Sequence, residues 1–146
     1  MYVIDASVHV ADARPREPHH ADARALLAQI ATESRVVYLP MIVLAEVAAA
    51  VSRGTGRPAL AWRLTAALRR VPHFQFVPLD DALGQLAAGL AAQQQLQGCH
   101  AVYVALAQQS QAKLITLDCQ QQERVPPDVL VHTPAEALTD RSWSTV

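Results

Sequence analysis

The sequence predicts an α/β protein, a three-layer α/β/α sandwich around a central, mainly parallel sheet. Short apolar runs alternate with longer segments whose apolar residues recur every three or four positions, as strands alternating with helices do. The chain has 146 residues, 51 % of them hydrophobic, which suits one domain with a sizeable core. Because no repeat or long linker divides it, we expect a single domain over 1–138 and a polar C-terminal tail over 139–146.

Composition excludes several classes of protein. A formal net charge of −1 argues against a protein that coats nucleic acid or membranes by charge alone. Two cysteines without zinc-type spacing, Cys99 and Cys119, are expected to be free thiols. No leader-like segment precedes Asp5, and the most apolar stretch is interrupted by a proline and a glutamate. We therefore expect a cytoplasmic protein without a membrane segment.

Five short apolar runs are predicted to be strands that are buried on both faces. Proline, glycine or polar residues bound them, and a proline-punctuated loop over 11–18 follows the first. The predicted strands, in chain order, are Met1–Val8, Val36–Leu39, His73–Val77, Lys113–Leu117 and Val129–His132.

Between these strands, apolar residues recur at helical spacing. The first predicted helix is about His19–Ala31, with an apolar stripe of Leu26, Leu27 and Ile30 along one face. The second has the stripe Val43, Val47 and Val51 and is ended by Gly54 and Gly56, and the third begins at Pro58 and has the stripe Leu60, Leu64 and Leu68. The fourth is capped by Asp80 or Asp81 and has the stripe Leu83, Leu86 and Leu90. A fifth helix, about Cys99–Gln109, is apolar nearly all round and should be buried. Short helical turns are expected after Asp118 and at Ala135–Leu138.

In two of the predicted strands, an aspartate directly follows the apolar residues. Asp5 follows Tyr-Val-Ile, and Asp118 follows Lys-Leu-Ile-Thr-Leu. If these strands are parallel neighbours, both carboxylates project from one edge of the sheet, the edge at which open α/β sheets bind ligands. Each aspartate taken alone is better explained as the cap of the following helix, but two such strands in one small chain, with a third acid between them, favour a site.

Two further residues are candidates for a site. Glu46 lies in the apolar segment Leu-Ala-Glu-Val-Ala-Ala-Ala-Val, so its carboxylate requires either an exposed helix face or a polar partner. His100 opens the buried fifth helix directly after Cys99 and shortly before the strand that ends in Asp118. A histidine at a helix start is commonly a surface or capping residue, and Cys99 is interpreted as a small buried thiol rather than a nucleophile.

Taken in order, four motifs resemble the PIN domain family. They are Val-Ile-Asp-Ala-Ser-Val, Leu-Ala-Glu-Val, Gly-x-x-Ala-Val-Tyr-Val-Ala-Leu-Ala and Leu-Ile-Thr-Leu-Asp, and the resemblance extends from residue 2 to about 138. The most similar group is the toxin ribonucleases of VapBC toxin–antitoxin pairs. The resemblance implies an endoribonuclease that uses Mg²⁺ or Mn²⁺, an RNA substrate, a cognate antitoxin and a homodimer. It also implies that Asp5, Glu46 and Asp118 are catalytic metal ligands, supported by the hydroxyls of Ser7 and Thr116.

The chain departs from the PIN pattern at His100, where the family usually has an aspartate. In one hypothesis, His100 coordinates the metal through its imidazole, which shifts the preference toward Mn²⁺ or a later transition metal. In the other, the site binds metal poorly, and the domain binds RNA or a protein partner without cleavage. The presence of Asp5, Glu46 and Asp118 favours the first hypothesis.

Two other classes of protein require residues that the chain lacks. A phosphatase of the haloacid-dehalogenase type needs a second acid two residues after Asp5, where Ser7 stands. A response-regulator receiver domain needs an acid pair near the first strand and a lysine late in the sheet, but Lys113, the sole lysine, precedes the fourth strand. A group of arginines either contacts RNA phosphates or an acidic antitoxin, or forms solvated surface: Arg53, Arg57, Arg63, Arg69 and Arg70.

Overall fold

A computed structural model describes residues 1–140 of the chain. Its strands are β1 (Tyr2–Ile4), β2 (Val37–Pro40), β3 (Phe74–Val77), β4 (Lys113–Ile115) and β5 (Val131–His132). Its helices are α1 (Ala6–Ala13), α2 (His20–Thr32), α3 (Ile42–Thr55), α4 (Pro58–Leu68), α5 (Asp81–Gln94), α6 (Gly98–Ser110), α7 (Cys119–Arg124) and α8 (Pro134–Thr139). Most of the predicted polar tail, 141–146, lies outside the described residues, and Thr139 is the last residue of α8.

The five strands form one sheet in the order β3-β2-β1-β4-β5, and every pairing is parallel. Helices flank this sheet, so the predicted α/β class with a parallel sheet is confirmed. In the central pair, Ile4 lies opposite Ile115. The residues that follow β1 and β4 therefore leave the sheet side by side, at its carboxyl edge.

Helix α6 is the centre of the hydrophobic core. Every residue from Ala101 to Ala107 is buried, and the helix packs against β1, β2, β4 and α5. This burial confirms the prediction made from its apolar composition. Because the helix begins at the carboxyl edge of the sheet, its first turn places Cys99 and His100 near the ends of β1 and β4.

The prediction of a strand over Met1–Val8 is wrong beyond Ile4, where β1 ends. The prediction of a loop over 11–18 is wrong at its start, because residues 11–13 belong to helix α1. The chain instead enters helix α1 at once, with Asp5 as its N-cap. The Asp5 carboxylate accepts a bond from the Ser7 amide at 3.1 Å, which starts the helix. In so short an apolar window, the two-residue and 3.6-residue periods cannot be distinguished.

Two details of the predicted helices also differ. The leucine stripe of α4 is only partly buried, and the residues that face the core are Ala61 (4 % exposed) and Thr65 (7 %). Small side chains at these positions let α4 approach α3, which it contacts closely. Helix α3 ends at Gly56, whose φ of 66° favours glycine, whereas Gly54 lies inside the helix. Within the described residues, every helix is too short or too polar to cross a membrane.

Candidate active site

An open cleft of about 470 Å³ lies at the carboxyl edge of the sheet. It brings together four of the residues that the sequence singled out, which are Asp5, Glu46, His100 and Asp118. Its other walls come from α1 and α3 and include Ser7 and Arg53. The parallel pairing of β1 with β4 explains why two aspartates more than a hundred residues apart share one cleft.

Asp5 is the most buried carboxylate of the cleft, at 4 % exposure. Its backbone amide donates to the carbonyl of Ile115 at 2.9 Å, which ties the end of β1 to β4. Its Oδ2 accepts bonds from the Ser7 amide (3.1 Å), the Ser7 hydroxyl and the Thr116 hydroxyl (3.2 Å). Asp5 thus caps α1 and lines the cleft, so the two interpretations made from sequence are compatible.

Ser7 and Thr116 connect the two chain segments that follow β1 and β4. The Ser7 hydroxyl donates to Asp5 and accepts a bond from the Leu117 amide at 3.1 Å. The Thr116 hydroxyl donates to Asp5 and accepts a bond from the Asp118 amide at 3.0 Å. These bonds hold the backbone of Asp118 in a defined relation to the carboxylate of Asp5.

Asp118 and His100 form the opposite wall of the cleft. Asp118 is the N-cap of α7, and its Oδ1 accepts a bond from the Gln121 amide at 2.9 Å. The same oxygen lies 3.3 Å from Nδ1 of His100, whose side chain is 16 % exposed. That nitrogen is buried and has no hydrogen-bond partner among the described residues, so the short contact is not a hydrogen bond.

Glu46 projects from α3 and is half-buried in the cleft. Its Oε2 accepts a bond of 2.5 Å from the hydroxyl of Tyr103, and its carboxylate also bonds the thiol of Cys99. Burial, together with the negative charge of Asp5, raises the pKa of Glu46, although the bonds from Tyr103 and Cys99 oppose this rise. The sequence left two possibilities for Glu46, an exposed helix face or a polar partner. The structure shows the second, because the carboxylate bonds Tyr103 and Cys99.

Sequence reasoning missed Tyr103 as a residue of the site, and it named Arg53 only as one of five arginines that either contact RNA or an antitoxin or form solvated surface. Tyr103 is fully buried, and burial raises its pKa, so its hydroxyl remains a donor to Glu46. A tyrosine in an otherwise apolar helix was the available signal, because a buried phenol requires a partner. Arg53 lines the acid cleft, whereas Arg69 lies in the groove between α3 and α4, 5.8 Å from the ring centre of Phe76.

The donor chemistry of the cleft fits a divalent cation. Carboxylate oxygens suit hard ions such as Mg²⁺ and Mn²⁺, and an imidazole is tolerated best by transition metals. Nδ1 of His100 lies 3.3 Å from Oδ1 of Asp118, so a nitrogen and an oxygen that can both bind a metal are adjacent in the cleft. Over residues 1–140, however, no three acid, histidine or cysteine side chains are close enough to hold an ion as they stand. Binding would therefore require some of the side chains of the cleft to turn.

The family model described as PIN domain matches residues 2–126. Comparison by sequence with curated proteins gave no significant match.

Several solved structures share the fold. Mycobacterium tuberculosis VapC20, described as a sarcin-ricin loop cleaving toxin, superposes with a TM-score of 0.74 at 18 % identity, covering 89 % of this chain and 99 % of that one. FitAcB from Neisseria gonorrhoeae gives 0.69 at 22 % identity, covering 92 % and 99 %. VapBC2 from Rickettsia felis, bound to a fragment of promoter DNA, gives 0.69 at 12 % identity, covering 90 % and 97 %.

Proposed function

The chain belongs to the PIN domain family, and from that premise we propose that it is a metal-dependent endoribonuclease that hydrolyses phosphodiester bonds in RNA. The observation that carries the proposal is the single cleft shared by Asp5, Glu46, Asp118 and His100. Three carboxylates in one cleft repel one another when all are ionised, and a divalent cation relieves that repulsion. The likeness to VapC20 supports RNA as the substrate class.

The residues of this chain that would hold Mg²⁺ or Mn²⁺ are Asp5, Glu46, His100 and Asp118. Such an ion lowers the pKa of a bound water and neutralises charge that develops on phosphate oxygens. Ser7 and Thr116 support the site by fixing Oδ2 of Asp5 through their hydroxyls.

Two other residues have roles in the same scheme. Tyr103 holds the carboxylate of Glu46 at the wall of the cleft. Arg53, whose guanidinium is the cationic group in the lining, would bind a phosphate that flanks the cleaved bond.

The biological role that fits this activity is the toxin of a toxin–antitoxin pair. The chain is similar in fold to VapBC2 and to a toxin–antitoxin complex from Klebsiella pneumoniae. We propose a protein antitoxin as the partner and a homodimer as the free state. Light scattering of the purified chain tests the dimer, and a small DNA-binding reading frame immediately upstream would support the antitoxin.

The central test is cleavage of end-labelled RNA by the purified chain with and without added Mg²⁺ or Mn²⁺. We expect activity that a chelator abolishes and that Asp5→Asn lowers by roughly 100-fold or more, since the substitution removes a charged ligand. Asp128→Asn is the matched control, because Asp128 is exposed and does not line the cleft. Cleavage that persists in the chelator, or that survives in Asp5→Asn, would contradict the proposal.

A second candidate function is binding of RNA or a protein partner without cleavage. An imidazole among the carboxylates and the absence of a preassembled three-ligand cluster in 1–140 favour it. His100→Asp separates the two functions. If the parent is inactive and the variant binds metal and cuts RNA, the natural chain is a binding domain; if the parent cuts RNA and Asp5→Asn does not, it is the nuclease.

A further inference from the structure

A groove of about 570 Å³ lies between helices α3 and α4 and adjoins the acid cleft, since Ala45 lines both. Its wall is mostly apolar and includes Leu44 from α3 and Pro58 and Trp62 from α4. Trp62 is 77 % exposed, the highest value among the large hydrophobic side chains of residues 1–140. An open apolar groove with an exposed tryptophan in its wall indicates a surface that binds another molecule.

The two helices of the groove, with the turn between them, are strongly basic. Residues 42–70 contain five arginines and one acid, Glu46, a net charge of +4 in a chain whose net charge is −1. Glu46 lines the acid cleft, so the charge beside the groove is all positive. The arginines are exposed, and none forms an ion pair with an acid of residues 1–140: Arg53, Arg57, Arg63, Arg69 and Arg70. Such a surface favours a partner of opposite charge.

A second copy of this chain and an RNA strand match the groove less well. Two copies joined through it would bring two basic surfaces together. RNA would match the charge, but its bases require stacking surfaces and hydrogen-bonding groups. Among the described residues of the wall, Trp62 is the one aromatic. The hydroxyl of Thr65 already donates to the carbonyls of Ala61 at 3.2 Å and Trp62 at 3.1 Å.

The dimensions of the groove favour a helix as its occupant. The lining residues extend from Leu44 to Ser52 on α3 and from Pro58 to Arg69 on α4. At a rise of about 1.5 Å per residue, these spans are roughly 12–16 Å long, the length of about two to three helical turns. A helix satisfies its own backbone hydrogen bonds, whereas an extended segment would leave amide and carbonyl groups unpaired against an apolar wall.

We propose that the groove between α3 and α4 binds an amphipathic helix of an acidic partner protein. The apolar face of that helix packs against Leu44 and Trp62, and its carboxylates pair with the flanking arginines. Because Ala45 belongs to both walls, the bound helix lies at the rim of the acid cleft and limits access to it. That the partner is the antitoxin rests on the proposed function, whereas the binding surface does not.

The test is a selection of binders from a library of displayed helical peptides with randomised side chains. The target is the full-length chain with Trp143→Phe, which leaves Trp62 as its only tryptophan. We expect the selected peptides to combine an apolar stripe with aspartates or glutamates and to shift the fluorescence of Trp62 to shorter wavelength. Replacing their acids by amides should lower the affinity by roughly tenfold, because a few exposed ion pairs are lost.

Variants of the groove are compared by calorimetry with one selected peptide. Trp62→Ala should lower its affinity by about 30-fold or more, as expected for a tryptophan at the centre of an interface. Leu130→Ala is the matched control, because Leu130 is also exposed, at 58 %, but lies outside the groove. Ala66 is an exposed residue of the wall, so Ala66→Glu places a carboxylate there without altering the core and should abolish binding.

Several results would overturn the proposal. They are a selection that returns no binder, or peptides that are basic or uncharged, or that bind Trp62→Ala as tightly as the parent. A shift of Trp62 fluorescence by single-stranded RNA that acidic peptides do not reverse would assign the groove to RNA. A dimer in sedimentation velocity that Trp62→Ala dissociates would assign it to a second copy. Because no measurement involves metal or cleavage, an inactive chain that binds the acidic helix would refute the nuclease function alone.

Discussion

The hydroxyl of Tyr103 lies 2.5 Å from Oε2 of Glu46 and donates a hydrogen bond to it. Tyr103 belongs to the buried part of helix α6, Ala101 to Ala107, and Glu46 belongs to α3 at the wall of the acid cleft. A residue of the hydrophobic core therefore sets the position of a carboxylate in the cleft. Because the core is closely packed, that position is held by the fold rather than by the flexible side chain alone.

Tyr103→Phe tests this relationship. We expect the free energy of unfolding to fall by about 2 kcal/mol, since a buried bond to a carboxylate is lost. The pKa of Glu46 should rise further, because the bond from Tyr103 opposes the effect of burial. Urea denaturation at pH 7 and a ¹³C titration of the Glu46 carboxyl measure the two effects.

Tyr38→Phe is the matched control for that experiment. Within residues 1–140, the hydrogen bond of the Tyr38 hydroxyl is a long one to the sulfur of Met1, at 3.5 Å, so its loss should change stability by less than about 0.5 kcal/mol. Similar effects of the two substitutions would show that the Tyr103–Glu46 bond contributes nothing specific.

Ser7→Ala should loosen the junction between α1 and the segment after β4. The Ser7 hydroxyl accepts from the Leu117 amide at 3.1 Å and donates to Asp5, so its removal leaves that amide without its partner. We expect a loss of about 1–3 kcal/mol in denaturant unfolding. In the proposed metal site, the same substitution should weaken binding of Mn²⁺ roughly tenfold, measured by calorimetry.

Ser110→Ala provides the comparison for Ser7→Ala. The Ser110 hydroxyl donates to the carbonyl of Leu106 near the end of α6, away from the cleft. This substitution should leave stability within about 0.5 kcal/mol and metal affinity unchanged. An equal loss of stability in both variants would rule out a special role for Ser7.

His9 should make the stability of the protein depend on pH. Its pKa in the folded state is about 4, below the ordinary 6.5, so between these values the unfolded chain binds more protons than the folded one. Stability from this group is complete above pH 6.5 and is lost as the pH falls toward 4, by roughly 3 kcal/mol in total.

The measurement for His9 is the difference between two stability profiles from pH 7 to pH 4. His9→Leu should lose much less stability than the parent over this range. Asp12 and His73, which line the same pocket between helices α1 to α4 as His9, are present in both proteins, so their contributions are common to the two profiles. Glu46, with its raised pKa, acts in the opposite sense, and it too is common to both. Parallel profiles would mean that His9 is protonated at its ordinary pH in the folded state.

Arg53→Ala tests the electrostatic contact with RNA. Because Arg53 lines the acid cleft, its removal should weaken RNA binding and reduce the salt slope of the affinity by about one. The sequence grouped Arg69 with Arg53 as a candidate contact for RNA, but Arg69 lies in the groove between α3 and α4. Arg69→Ala is therefore the control. A larger change of the salt slope in Arg69→Ala than in Arg53→Ala would indicate that RNA binds in the groove between α3 and α4.

Much of the fold was predictable because its signals are local. Alternating apolar runs and helical stripes predicted five strands and a buried α6, and the acids after β1 and β4 predicted a shared edge. Helix α1 was not predicted because the residues from Ala6 to Val8 fit both the two-residue period of a strand and the 3.6-residue period of a helix. The N-cap at Asp5 and the packing of the segment select the helix. The leucine stripe of α4 was misjudged because packing against α3 selects Ala61 and Thr65 instead.

The sequence by itself determined that Asp5 and Asp118 follow strands, that His100 is near a helix start and that Glu46 is an acid within an apolar segment, and the order of the four motifs made these residues candidates for one site. Only the tertiary structure decided their partners. Tyr103 and Glu46 are 57 positions apart, and nothing in the local pattern of either segment pairs them. The same holds for His100 against Asp118 and for Nε2 of His9, which has no hydrogen-bond partner in residues 1–140. The physical reason is that periodicity specifies which face of an element is buried, whereas hydrogen-bond partners depend on how separate elements pack together.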